Sequence, residues 1–203
     1  MTQPLGGGEH NLHEEDLLRA RFYGLLANLL SGPPRAEILA GLERLEGDDT
    51  DMGRALGDLG KVAAATTAED VEQEFNELFV GLSEGQLTPY ASYYLTGFLY
   101  EKPLADLRAD METLGLRGAE DVSEPEDHIA SLFEIMHWLI TGSLDSPADL
   151  KTQQVFFDRH IGSWATRFFE DLETADQAVF YRPIGSIGRT FIAIEREAFG
   201  MVE

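Results

Sequence analysis

The 203 residues, 43% of them hydrophobic with 12 Phe, are enough for one well-buried domain and too apolar for a disordered chain even at a net charge of −22. That charge, 37 acidic against 15 basic residues, repels phosphate backbones and anionic membranes and attracts cationic partners, so nucleic acid is set aside. With no cysteine in the chain, disulfide frameworks, iron–sulfur clusters, thiolate zinc sites and cysteine nucleophiles are excluded.

Residues 1–12, with Gly6-Gly7-Gly8, read as a flexible leader ahead of one domain over 13–203. The N-terminus lacks the basic and apolar regions of a secretory signal, and no apolar stretch reaches the roughly 18 residues of a membrane span. A cytoplasmic protein without stable membrane insertion is therefore expected. From His13, Leu17, Leu18, Phe22, Leu25, Leu26, Leu29 and Leu30 recur at helical spacing, and the helix stops at Ser31-Gly32-Pro33-Pro34. Further helices are expected over Ala36–Leu45, Met52–Ala64 and Ala68–Val80, the last opened by Thr67 with Asp70 three residues on, the spacing of a capping arrangement.

A turn-rich loop over Gly81–Pro89 precedes a short aromatic helix, Tyr90–Tyr100. Pro103 suits a helix start, and Gly115 its end. Residues 116–122 form a connector and a candidate hinge. Then comes Ser123-Glu-Pro-Glu-Asp-His-Ile129, where Pro125 and the Ser123/Glu126 spacing predict another helix start. On that helix Ile129, Leu132, Phe133, Met136, Leu139 and Ile140 form an apolar face with His128 at its edge. Asp127, Ser131, Glu134 and Trp138 fall opposite, and a tryptophan there means that this side is also covered or walls a groove. Helices over Pro147–His160, Gly162–Leu172 and Asp176–Phe199 follow, the last interrupted at Pro183, with Ile184-Gly-Ser-Ile-Gly188 as a flexible break. The fold class is all-α, a single domain of roughly nine to eleven helices.

No nucleophile elbow, phosphate loop or dinucleotide fingerprint occurs, so catalytic machinery is not evident and nucleotide binding has no motif behind it. Glu134-Ile-Met-His137 has the spacing of two ligands in a di-iron carboxylate bundle, but the second such pair that site needs is missing. A metal protein or enzyme built on Glu134, His137 and nearby carboxylates is the alternative reading. Aromatic side chains are dense instead: Phe75, Phe79, Tyr90, Tyr93, Tyr94, Phe98 and Tyr100. They suit core packing, and the tyrosines also suit a half-wet recognition surface.

Three segments in order, Glu74-Phe-Asn-Glu-Leu-Phe-Val-Gly81, Pro89-Tyr-Ala-Ser-Tyr-Tyr-Leu95 and Glu124-Pro-Glu-Asp-His-Ile129, closely resemble the TorD/DmsD family of redox-enzyme maturation chaperones. Gln153-Gln-Val-Phe-Phe-Asp-Arg-His160 before Trp164, and a last helix opening on Phe180-Tyr181-Arg182, extend the likeness from about residue 15 to 199. Many relatives carry proline where this chain has Leu82. The resemblance implies an all-α cytoplasmic chaperone without turnover or a cofactor of its own. It would bind the twin-arginine signal peptide, and often the body, of an apo molybdopterin-dependent oxidoreductase, and delay export until the cofactor is inserted. Carried over residue by residue, it points to Glu124, Glu126, Asp127 and His128, with Phe79, Tyr90, Ser92 and Tyr93 from the other segments. Exchange of segments between chains at the connector, giving a dimer rather than a monomer, is a further family property. Independently, two adjacent cations beside an apolar run call for an apolar groove with an acidic rim, and this chain has both ingredients.

Overall fold

The computed structural model describes residues 12–81, 86–117, 124–142 and 146–201. The helices are α1 (Glu14–Ser31), α2 (Ala36–Leu42), α3 (Asp51–Ala65), α4 (Ala68–Phe75), α5 (Ala91–Thr96), α6 (Lys102–Thr113), α7 (Ile129–Thr141), α8 (Leu150–His160), α9 (Ala165–Thr174) and α10 (Tyr181–Gly200). Among the described residues these ten α-helices are joined by one π-turn, Asn76–Val80, and the only extended pairing is an isolated bridge between Tyr90 and His128. The all-α expectation holds.

Helix α1 lies along α7 and α9 along α10, the two most extensive pairings, with α3 packed on α10. One aromatic chain runs through all four central helices. The Tyr23 ring meets Phe133 at 5.3 Å and Phe191 at 4.7 Å, both edge-on, and Phe133 lies 5.9 Å from Phe169. All four rings are buried. Each fully buried side chain of this size stabilises by about 1.5–3 kcal/mol, so this cluster outweighs anything helix propensity contributes.

Local signals are reproduced where they are local. Thr67 and Asp70 form a reciprocal capping box at α4, with Asp70 N–H donating to Thr67 Oγ1 at 3.2 Å and Thr67 N–H to Asp70 Oδ2 at 3.3 Å. Other expectations are corrected. The expected Ala68–Val80 helix is α-helical only to Phe75 and widens into the π-turn, closed by Gly81 N–H on Asn76 C=O at 2.8 Å. The Tyr90–Tyr100 helix ends at Thr96, where Gly97 takes a left-handed conformation at φ 85°. Helix α10 is not interrupted at Pro183. It begins at Tyr181, which puts the proline in the first turn, where its missing N–H would have no partner anyway. Nor is Ile184–Gly188 a flexible break, for it is helical and buried. A Cβ on Gly188 would lie 2.2 Å from the Phe169 ring, so glycine is what lets α10 approach α9 this closely. The leader and the hinge fall mostly outside the described residues, which exclude 1–11 and 118–123, as does Leu82.

Candidate functional site

The segment expected to start a helix at Pro125 does not. His128 N–H closes a turn on Pro125 C=O at 3.2 Å, and α7 begins only at Ile129. What displaces the start is a pairing with a distant stretch. Ala91 N–H donates to Asp127 C=O at 3.0 Å, and Ile129 N–H to Pro89 C=O at 2.8 Å. Side chains finish the joint. Asp127 Oδ2 accepts the Ser92 N–H at 2.8 Å, and His128 Nδ1 accepts the Ala130 N–H at 3.1 Å, so adjacent residues cap α5 and α7. Ser123, the expected cap, lies outside the described residues.

Asp127 therefore does not share a face with Glu134 and Trp138. It precedes the helix, so helical spacing does not govern it, and it is fully buried. Ser92 is buried with it, and neither Asp127 Oδ1 nor Ser92 Oγ has a partner among the described residues. His128 is 8% exposed and meets the Tyr90 ring edge-on at 5.0 Å, while the Tyr90 hydroxyl donates to Glu124. Burial first, then the Glu124 carboxylate, hold the Tyr90 phenol above its ordinary pKa, with Tyr100 close enough to add to the effect. Glu126 is engaged elsewhere. Arg108 of α6 donates to its Oε2 from Nε and Nη2 at 3.0 and 2.8 Å.

Two surfaces adjoin this junction. On one side a groove of about 520 Å³ runs between α1 and α7, with Glu124 and His128 at one end and Glu134 and Trp138 further along. The tryptophan on the polar side of α7 is thus a groove wall. Gly24 of α1 makes room for the His137 imidazole, whose Nδ1–H donates to Ala20 C=O at 2.8 Å. A Cβ at Gly24 would sit 3.3 Å from that nitrogen. On the other side, the elbow between α5 and α6 exposes Tyr93, Phe98 and Tyr100 at 43, 68 and 70%. Tyr100 holds a left-handed φ of 63°, uncommon for a bulky residue, which keeps the elbow tight.

Of the residues singled out from the sequence, Tyr90, Ser92, Glu124, Asp127 and His128 meet at one junction. Tyr93 lies on the exposed elbow, and Glu126 is at the α6 side. Phe79 is apart, its ring packed at 5.0 Å on Phe75 and 5.4 Å on Tyr181. Glu134 and Trp138 line the α1–α7 groove, which decides for Trp138 between the two roles its place among polar neighbours allowed. Among the described residues no three His, Asp or Glu side chains lie close enough to hold a metal ion.

The junction holds a histidine whose charged form folding disfavours. Burial holds His128 below its ordinary pKa, although Glu124 and Asp127 pull the other way, and burial likewise outweighs Asp110 at His160. Accepting from Ala130 requires an unprotonated Nδ1. The unfolded chain, whose histidines titrate near about 6.5, binds protons first, so stability from these groups is full above that pH and falls as pH drops through it toward the folded value. His128→Asn keeps a capping side chain without the titration. Urea midpoints at pH 7.5 and 5.5 should fall further in the parent than in this variant, and equal falls would show that His128 is not the sensor.

A family model described as the nitrate reductase delta subunit matches residues 45–170. Curated relatives include the chaperone protein TorD of Vibrio atlanticus, 28% identical over 143 residues, which cover 64% of this chain and 66% of that one. The TorD of Aliivibrio fischeri is 27% identical over 147 residues, covering 66% of this chain and 68% of the relative. The matched stretch thus spans about two thirds of these relatives. Among solved structures, a crystal structure from Archaeoglobus fulgidus described as a redox enzyme maturation protein superposes with a TM-score of 0.56 at 18% identity. That match covers 95% of this chain and 99% of the other, a likeness of fold.

Proposed function

Because the chain belongs to the nitrate reductase delta subunit family, the TorD-type maturation chaperones, we propose that it binds the twin-arginine signal peptide of a molybdopterin-dependent oxidoreductase precursor. It would do so in the cytoplasm, hold the apo-enzyme until its cofactor is inserted, and delay export meanwhile. The observation that carries this reading is the adjacency of two unlike surfaces. An acidic groove and an exposed aromatic elbow meet at Tyr90, Glu124 and His128. A leader with two cations beside an apolar run presents the matching pair. Exposed ion pairs contribute only about 0–1 kcal/mol, so apolar contact at the elbow supplies most of the affinity, and charge supplies orientation and arrival rate.

Asp127 and Ser92 are buried, so they act on the leader by holding α5 against α7 rather than by touching it. Calorimetric titration of the full chain with signal peptides of the host's molybdoenzymes tests the proposal. At least one should bind. Asp127→Ala and His128→Ala should weaken it several-fold while far-ultraviolet circular dichroism keeps its helical amplitude. Absence of heat with every such peptide would end the reading.

A further inference from the structure

We infer that the α1–α7 groove seats one guanidinium of the bound leader, with Glu134 as its carboxylate and Trp138 as the flat face beside it. This rests on the leader-binding reading above and names the part of the surface that reads its charge.

Among the described carboxylates around the junction, three already have partners. Glu126 already holds the Arg108 guanidinium through two hydrogen bonds. Asp127 is buried and spends one oxygen on the Ser92 N–H. Glu124 accepts the Tyr90 hydroxyl. Glu134 is exposed, lines the groove, and has no ion pair or hydrogen bond among the described residues. Among the described residues no Lys or Arg lines this groove, and α1 presents small or neutral residues across from Glu134, among them Gly24, Ala27 and Asn28. A cation entering here meets no competitor, and a chain of net charge −22 favours its approach.

Trp138 lies four residues beyond Glu134, one helical turn along the same face, and both line the groove. A carboxylate beside an indole suits the planar, weakly hydrated guanidinium better than a compact ammonium, because the guanidinium can hydrogen-bond at its edge and stack on its face together.

His128 adds a hydrogen-bond donor to the same groove. It commits Nδ1 to the Ala130 N–H, so Nε2 carries the proton, and that N–H opens onto the groove rather than being sealed in the core. As a wall of the groove it can donate to a main-chain carbonyl of the leader. Six residues separate His128 from Glu134, about 9 Å along a helix, and an extended peptide covers that distance in about three residues. The leader then lies with its arginine along α7 and its apolar run over Tyr90 toward Phe98 and Tyr100.

The test uses fluorescence anisotropy with the full chain, a labelled twin-arginine leader of a host molybdoenzyme, and versions carrying Lys-Lys or Gln-Gln in place of Arg-Arg. Glu134→Gln should weaken the Arg-Arg peptide about fivefold and leave the Gln-Gln peptide unchanged. Trp138→Leu should narrow the parent's preference for Arg-Arg over Lys-Lys. If the parent binds no leader, the proposed function itself fails. If the parent binds the Arg-Arg peptide but Glu134→Gln binds it as tightly, or loses both peptides equally, the seat is elsewhere and the chaperone reading stands.

Discussion

Arg19→Met lowers the unfolding free energy by about 3 kcal/mol, the largest single effect expected outside the aromatic core. Arg19 of α1 donates to both oxygens of Glu195 in α10, at 2.7 and 2.9 Å, and to Asp16 and Gln153 at 3.0 and 3.1 Å. Tyr23 adds its hydroxyl to Glu195 at 2.8 Å, and the Arg19 guanidinium also lies 5.0 Å over the Phe199 ring. Burial disfavours the charge on Arg19, yet Glu195 outweighs it and raises the guanidinium pKa further. The Glu195 side chain is only 1% exposed, so removing its cation strands a carboxylate in the core with one hydroxyl for company. Breaking such a pair costs about 3–5 kcal/mol. The lower end applies because 16% of the Arg19 side chain still meets water, which screens part of what is lost. Urea denaturation reads the effect directly, and the double variant Arg19→Met with Glu195→Leu should recover most of the loss, since two apolar groups leave no orphan charge. A single variant within about 1 kcal/mol of the parent would mean that water reaches the stranded carboxylate and screens it as it does a surface charge.

Glu74→Ala should cost about 2–3 kcal/mol and loosen the start of α10. Its carboxylate accepts three successive backbone N–H groups, Val179 and Tyr181 at 2.8 Å and Phe180 at 2.9 Å. Val179 and Phe180 lead into a 20-residue helix and Tyr181 is its first residue, and Phe180 supplies no side-chain cap of its own. A negative charge at a helix N-terminus also meets the favourable end of the macrodipole. The loss therefore combines a missing cap with charge-assisted hydrogen bonds. Glu74→Gln, which keeps an acceptor oxygen but not the charge, should fall between. Hydrogen exchange at the amides of 179–181 should speed up in the alanine variant before the rest of the chain responds. Unchanged protection there would show that the helix start is held by packing alone.

Glu74 also shows why long-range partners were hidden. It opens one of the segments that resemble the chaperone family, and its place in the sequence says only that it belongs to a helix. What it caps lies 105 to 107 residues away. Asp127 has the same history, since its acidic neighbours looked like a helix start while its partner at Ser92 sits 35 residues earlier. The metal reading of Glu134 and His137 came from spacing along one helix. In the fold, His137 Nδ1 donates to Ala20 C=O of α1, Glu134 lines a groove, and among the described residues no third His, Asp or Glu joins them closely enough to hold a metal ion.

The amino-acid order alone determined the helical class, most helix positions, the Thr67–Asp70 cap, the acidic surface and the family likeness. Each of these depends on residues within a turn or two of one another, or on totals, and a 3.6-residue period is readable without a fold. The tertiary structure decided that α7 starts at Ile129, that Asp127 is buried, that Pro183 falls in the first turn of a helix, and that α1 and α7 leave a groove open between them. Those outcomes hang on backbone and side-chain partners from distant segments, and a chain read from one end to the other carries no record of which segments will meet.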